Sequence, residues 1–327
     1  MAKLVTIFGG SGFLGRYSAR RMARLGWRVR VAVRRPNEAV QVTTYGSVGQ
    51  VEPVLCNIRD DASVRSAMAG ADAVVNCVGI LTEHGRNSFD AVHNLGASRV
   101  ARIATEERVG RLVHISAIGA DIDAESAYCR SKALGEVGVL EHFPGAIVLR
   151  PSVIFGPEDQ FFNRFARMTA LGPVLPILGG DTKFQPVYVD DVAQAVTACV
   201  LGQAETGCYE LGGPDVMTLR AGVALVLDGI QKRRLVVGMP FVVGRILGGM
   251  LDVAQGVTVG LFHNTILTKD QARNLGHDNV VAEAANGFRE LGITPAAATS
   301  ILPEYLWVYR TSGQFAVVKA SAKNMKS

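Results

Sequence analysis

The chain has 327 residues, 48% of them hydrophobic and 36 of them glycine, with a net charge of +5. That length and apolar content describe a globular fold with a large core, one domain or one and a half, and a charged fraction of only 19% excludes a disordered or coiled-coil chain. Cys56, Cys77, Cys129, Cys199 and Cys208 form no C-x-x-C pair and no metal-ligand spacing, so no metal is expected and the thiols read as buried ones in a reducing compartment.

Residues 3–8 make a short apolar strand ending in a glycine loop, and 13–25 follow with helical periodicity as far as Gly26. Strand-like sequence opening at Lys3 leads us to expect no signal peptide and no mitochondrial leader, hence a bacterial chain facing the cytoplasm. Val29, Val31 and Val33 alternate along a second strand at 27–33. The rhythm continues with strands expected at 51–55, 71–78, 111–115 and 146–149, and helices at 61–68, 88–107 and 128–141. Strands alternating with helices mean βαβ units and a doubly wound parallel α/β sheet of Rossmann type.

After residue 150 the rhythm loosens. Residues 151–186 are rich in Phe, Gly and Pro, which suggests loops and one helix over the sheet's carboxyl edge; 192–201 reads as an apolar helix, 207–211 as a short strand, and 216 onward as largely helical. The expected organisation is a nucleotide-binding domain at 1–150, a smaller, mainly helical domain at 151–315 with interleaved returns to the sheet, and a flexible tail at 316–327 carrying Lys319, Lys323 and Lys326.

Two stretches stand out by charge. Residues 1–35 hold nine basic side chains (Lys3, Arg16, Arg20, Arg21, Arg24, Arg28, Arg30, Arg34 and Arg35) and no acidic one. Such a face suits phosphates, anionic lipid or an acidic partner, or is simply the solvated side of one helix. Residues 235–262 carry only Arg245 and Asp252. Their uncharged runs fall short of the roughly 20 residues of a membrane span, which leaves a surface-lying or partner-binding segment, or a plain core helix.

Gly9-Gly10-Ser11-Gly12-Phe13-Leu14-Gly15 lies between strand and helix and satisfies G-x-x-G-x-x-G from Gly9 and G-x-G-x-x-G from Gly10. The tight turn needs positive φ, a diphosphate needs backbone without Cβ in the way, and the helix start offers free N–H groups and a positive dipole. After the second strand come Arg34 and Arg35, with no carboxylate before Glu38. An NAD site places an acid there for the ribose 2′-hydroxyl, whereas arginine accommodates a 2′-phosphate, so NADPH is expected; otherwise both arginines are merely solvated. Asn57 and Ile58 fall where such folds meet the adenine, Cys77, Val78 and Gly79 close the fourth strand beside the cofactor, and Asn94 lies on the next helix. Ser116 ends the fifth strand, and Tyr128 and Lys132 share a helix face at i and i+4. There the ammonium is expected to lower the phenol's pKa for proton transfer and to bind the nicotinamide ribose, with Ser116 holding a substrate oxygen.

Together these residues resemble the extended or atypical short-chain dehydrogenase/reductase superfamily over roughly residues 3–215. Arg150-Pro151-Ser152-Val153-Ile154-Phe155-Gly156-Pro157 and Gln185-Pro186-Val187-Tyr188-Val189-Asp190-Asp191 agree. By resemblance, Pro151, Val153 and Ile154 supply backbone to the nicotinamide end, and the second run shapes the wall of the site. Glu158-Asp159-Gln160-Phe161-Phe162, Leu267-Thr268-Lys269-Asp270-Gln271, His277-Asp278-Asn279, Leu291-Gly292-Ile293-Thr294-Pro295 and Leu302-Pro303-Glu304-Tyr305 are similar to one branch, the Rossmann-type accessory subunits of respiratory complex I, NADH:ubiquinone oxidoreductase. That resemblance implies a tightly bound structural NADPH, no independent activity, and a vestigial Ser116, Tyr128 and Lys132. It implies as partners the other complex I subunits and a lipid surface rather than nucleic acid, peripherally on the cytoplasmic side of a bacterial inner membrane. The alternatives are a free NADP-dependent oxidoreductase or epimerase using the same three residues, or a redox-sensing scaffold. Ser116 and Tyr128 are only twelve positions apart, a shorter loop than the sugar-nucleotide enzymes usually have, which predicts a cramped pocket.

Overall fold

The computed structural model describes residues 2–243 and 269–311 together with positions 246, 249 and 313. The expected tail at 316–327 and most of the apolar stretch 235–262 lie outside the described residues. The chain divides into two units. The first takes residues 1–152, 189–212 and 281–295; the second takes the described residues of 153–188, 213–280 and 296–327.

The first unit is a seven-stranded sheet. Its strands are β1 (Leu4–Phe8), β2 (Arg28–Val33), β3 (Val51–Leu55), β4 (Ala73–Asn76), β5 (Arg111–Ile115), β6 (Ile147–Pro151) and β7 (Gly207–Leu211). They lie in the order β7-β6-β5-β4-β1-β2-β3, every neighbouring pair parallel. Parallel strands covered on both faces must be apolar throughout, and β1 and β4 are buried at every position. The chain steps outward from β1 to β3 and then returns to β4 on the other side of β1, leaving a crevice at the carboxyl ends of β1 and β4, where doubly wound folds bind ligands. Helices α1 (Phe13–Arg24), α2 (Asp61–Met68), α3 (Leu95–Glu106), α4 (Ala127–His142) and α5 (Val189–Leu201) supply the crossovers and their covering. Asp60 caps α2 by accepting from Ala62 and Ser63 N–H, and Ser126 caps α4 by accepting from Cys129 N–H. The helix expected at 88–107 is interrupted: Asp90–Asn94 forms a π-helical turn before α3 begins.

Charge is settled inside this unit as well. Arg150 grips Glu136 with two hydrogen bonds of 2.9 and 2.6 Å, tying β6 to α4. Several of the N-terminal cations are engaged locally rather than left for a partner. Arg21 pairs with Asp190 at 2.7 Å, Arg30 lies 3.5 Å from Glu52, and Arg20 sits over the rings of Tyr17 and Tyr45.

The second unit has its own core around Phe155, Phe162, Leu175, Ile177, Val226 and Leu302. Helices are not its whole content. Ile154–Phe155 pairs with Val187–Tyr188, Lys183–Phe184 with Met217–Thr218, and Val174–Leu178 with Leu235–Met239. The last of these is the start of the apolar stretch 235–262, so its first five residues are a strand and not a helix. A short apolar run between Arg234 and Pro240 carries no periodicity that separates the two. Asp159, in the Glu158–Phe162 run, is 2% exposed and collects the N–H groups of Gly156, Phe161 and Asn163 and the hydroxyl of Tyr305 at 2.7 to 3.1 Å.

Candidate functional site

The glycine loop between β1 and α1 is shaped by contacts that no side chain could share. Gly9 has φ +72°, and a Cβ on it would lie 3.2 Å from the Cys77 carbonyl and the Val78 nitrogen. Its N–H donates to Ala32 C=O, and its own carbonyl accepts from Gly12 N–H, both at 2.9 Å. A Cβ on Gly15 would come within 2.4 Å of the Gly9 oxygen. Gly12 then starts α1 with no side-chain cap, and the first turn holds no acid. The helix's first N–H groups and the positive end of its dipole are thus left to an outside anion.

Around this loop lies a cleft of about 230 Å³ lined by Phe8, Gly9, Ser11 and Gly12, by Ala32, Val33 and Arg34 at the end of β2, by Cys56, Asn57, Ile58 and Arg59 after β3, by Cys77, Val78, Gly79 and Ile80 after β4, and by Asn87 and Val92. The structure therefore gathers the sequence candidates Gly9, Ser11, Gly12, Arg34, Asn57, Ile58, Cys77, Val78 and Gly79 into one hollow. Phe13, Leu14 and Gly15 form the first turn of α1 behind it. Arg35 does not line it: its guanidinium binds Glu38 at 2.9 Å and is exposed, and its backbone already leads into the 3-10 turn that starts at Pro36. Asn94 also points elsewhere, to Asp90 at 2.8 Å.

Lys132 Nζ donates to Ile115 C=O at 3.0 Å and stands 3.5 Å from where a Gly79 side chain would begin. Ser116 Oγ is buried with no hydrogen-bond partner among the described residues. The Tyr128 ring stands edge-on to His93 and Phe89, 5.4 and 5.9 Å between centroids. The expectation that Lys132 lowers the Tyr128 phenol pKa is overturned. Burial pushes the phenol above its ordinary value, and burial brings Lys132 itself down to about 8, against the pull of Glu136 and Cys77. Sharing a helix face is not enough when both groups are desolvated and the ammonium turns to a backbone carbonyl. Pro151, ending β6, accepts from Ile118 N–H at 3.1 Å; Val153 and Ile154 belong to the second unit.

Sequence reasoning missed His93 and His114. The first hydrogen-bonds Ile80 and Ser131, the second Asn76. The sequence signal was slight: His93 precedes the singled-out Asn94, and His114 sits in an apolar strand. Burial, with Lys132 nearby, pushes both imidazoles down to about 3. Their unfolded values lie near 6.5, so between those limits the unfolded chain binds more protons and stability falls as pH falls. We expect the urea midpoint to drop from pH 6.5 toward 3, with His114→Gln taking up nearly one proton fewer on unfolding. Equal proton uptake by variant and wild type is the contrary result.

Among the described residues no group of three or more His, Cys, Asp or Glu could hold a metal ion, and no helix is long and apolar enough to cross a membrane. The glycine cradle that a Cβ would fill and the Ser116 hydroxyl, unpartnered among the described residues, both fit a dinucleotide.

Comparison with known proteins agrees with that geometry. The model of the NAD dependent epimerase/dehydratase family matches residues 5–212. The chain is 33% identical to the mitochondrial NADH dehydrogenase [ubiquinone] 1 alpha subcomplex subunit 9 of Arabidopsis thaliana, over 95% of this chain and 79% of that protein. It is 30% identical to the mitochondrial NADH-ubiquinone oxidoreductase 40 kDa subunit of Neurospora crassa, over 98% and 83%. With the ceramide reductase of Caulobacter vibrioides it shares 30% identity over 71% and 73%. Among solved structures, the dTDP-glucose 4,6-dehydratase DesIV of Streptomyces venezuelae superposes with a TM-score of 0.70 at 19% identity, over 96% of this chain and 99% of that one, which speaks for the fold alone.

Proposed function

The chain belongs to the NAD dependent epimerase/dehydratase family, and within it we propose an NADPH-binding accessory subunit of respiratory complex I without independent activity. The observation that carries this reading is the extent of similarity. The family model stops at residue 212, but the likeness to the Arabidopsis and Neurospora subunits runs over 95% and 98% of the chain. A shared nucleotide fold alone does not account for the additional hundred residues.

In this reading the loop backbone at Gly9, Ser11 and Gly12 and the start of α1 take the pyrophosphate. Arg34 takes the 2′-phosphate, and Asn57 and Ile58 take the adenine. Cys77, Val78 and Gly79 leave room for the chain of the cofactor, and Lys132, with Ser116 and Tyr128, meets its nicotinamide half. Arg35, bound to Glu38, is left out. NADPH held this way acts as a folding ligand, stabilising the first unit by linkage, and a phenol with its pKa raised by burial suits a clamp better than a proton shuttle. We place the protein peripherally on the cytoplasmic face of a bacterial inner membrane, with the other complex I subunits as partners and the lipid surface within reach.

The Caulobacter ceramide reductase and the retained Ser116, Tyr128 and Lys132 favour a second reading, a free NADP-dependent reductase. One experiment separates the two. Membranes are solubilised in mild detergent and resolved under native conditions. The band holding this chain is then identified by mass spectrometry, and its nucleotide by extraction. Co-migration with NADH:ubiquinone oxidoreductase subunits, carrying NADPH, is expected. A protein that runs alone in the soluble fraction and exchanges its nucleotide freely overturns the subunit reading.

A further inference from the structure

We propose that His93 is a positioning residue for the dinucleotide, the clasp that holds the loop after β4 against the cleft and ties it to the turn of α4 bearing Tyr128 and Lys132. The proposal rests on reading the cleft as a dinucleotide site. Ile80 lines that cleft, and its N–H reaches His93 Nε2 at 2.9 Å. A backbone N–H can only donate, so Nε2 is the bare nitrogen and the ring proton is on Nδ1. Nδ1 lies 2.9 Å from Ser131 Oγ and donates to it, which frees the Ser131 hydroxyl to donate to Tyr128 C=O at 2.7 Å. Three hydrogen bonds thus run in one direction from the cleft loop into α4, with every donor matched to one acceptor.

Three further features hold the ring in that place. His93 lies in the π-helical turn Asp90–Asn94, a rare geometry that re-aims a side chain within a helix. Its imidazole stacks on Phe89 at 5.5 Å and meets the edge of Tyr128. Gly135 on α4 supplies the space: a Cβ there would fall 2.2 Å from the His93 carbonyl oxygen. His93 is 2% exposed, and burial with the nearby Lys132 ammonium keeps the ring neutral, as the acceptor role at Nε2 requires. A charged imidazole presents a second donor to Ile80 N–H and opens the clasp.

Three substitutions test this, because they divide the functions of the ring. Gln places an amide oxygen near the position of Nε2 and keeps the acceptor for Ile80. Asn reproduces only the near position of Nδ1. Phe keeps shape and stacking and neither bond. The readouts are the NADPH dissociation rate of the full-length protein and hydrogen exchange at the Ile80 amide. His93→Gln is expected to stay within about threefold of wild type in both. His93→Asn and His93→Phe are expected to release NADPH about tenfold faster and to lose Ile80 protection, the scale of one buried donor left without its acceptor. If His93→Phe fails to fold, the Gln and Asn pair decides. The proposal is overturned if His93→Asn retains NADPH like wild type, or if His93→Gln is as defective as His93→Asn. A wild-type protein that binds no NADPH overturns the cleft reading itself, and the wild type alone reveals it.

Discussion

Gly15→Ala is expected to abolish NADPH binding and to cost about 3 kcal/mol of stability, the upper part of the range for overpacking a closed site. The added methyl would sit 2.4 Å from the Gly9 oxygen and 2.6 Å from Gly10 Cα, where carbon normally keeps about 3.5 Å or more. Both obstacles are backbone, so the loop itself has to move by about an ångström. Gly9 cannot yield, since its φ of +72° and the closeness of Cys77 and Val78 pin it to the segment after β4. The displaced atoms are those that face the pyrophosphate in the proposed complex, which is why affinity falls with stability. Gly26→Ala is the control: φ there is +80° but nothing among the described residues stands within 4 Å of the added Cβ, so backbone strain of about 1 kcal/mol is expected with nucleotide affinity intact. Equilibrium unfolding and NADPH titration of both variants check the pair. A Gly15→Ala protein that binds NADPH normally removes the loop from the site.

Arg34→Glu is expected to weaken NADPH about a hundredfold and to bring NADH to equal or better affinity. Arg34 lines the cleft at the end of β2 and makes the only guanidinium there besides Arg59 among the described lining residues. A hydrogen bond to a charged group contributes about 1.5–3 kcal/mol, and replacing cation by anion adds repulsion toward a 2′-phosphate while offering NADH's 2′-hydroxyl an acceptor. With about 1.4 kcal/mol per decade, two decades follow. Arg35→Glu should change the preference less than about threefold, since Arg35 already points to Glu38. Titration of each variant with both nucleotides, at one fixed salt concentration, reads the ratio. An unchanged ratio in Arg34→Glu, or an equal shift in Arg35→Glu, refutes the assignment of the 2′-phosphate to Arg34.

Much of this was legible in the residues because the constraints are local. Glycines at 9, 12 and 15 have one geometry that explains all three, and α2 and β3 stand at their expected bounds because each is short, strongly patterned and flanked by turn or capping residues. What was not legible depended on direction or burial. Arg34 and Arg35 are one letter repeated, and only the course of the backbone past β2 divides them, one to the cleft and the other to Glu38. Tyr128 and Lys132 share a face as their spacing requires, but the sign of the phenol shift came from desolvation, which spacing does not encode. His93 was overlooked in favour of its neighbour because a π turn breaks the 3.6-residue period on which face assignments rest. The strand Leu235–Met239 escaped for a different reason: its partner Val174–Leu178 is some sixty residues away, beyond any local pattern.

The order in which the first unit is written into the chain has a consequence for its biosynthesis. Every residue that lines the cleft comes from the first 92 positions, whereas one of the sheet's two outer strands is Gly207–Leu211 and the unit's last stretch is 281–295. At about 5–20 residues per second on the ribosome, every residue that lines the cleft is made before β6, and the strand that pairs with β6 follows it by several seconds more. Between the synthesis of β6 (Ile147–Pro151) and that of β7 (Gly207–Leu211), one edge of β6 presents an unpaired row of N–H and C=O groups, the surface on which strands of different chains join. The stretch of synthesis after β6 and before β7 is therefore the one in which this edge of β6 is open to another chain; β7 then takes its place as the outer strand, with Asn286 bridged to its Tyr209.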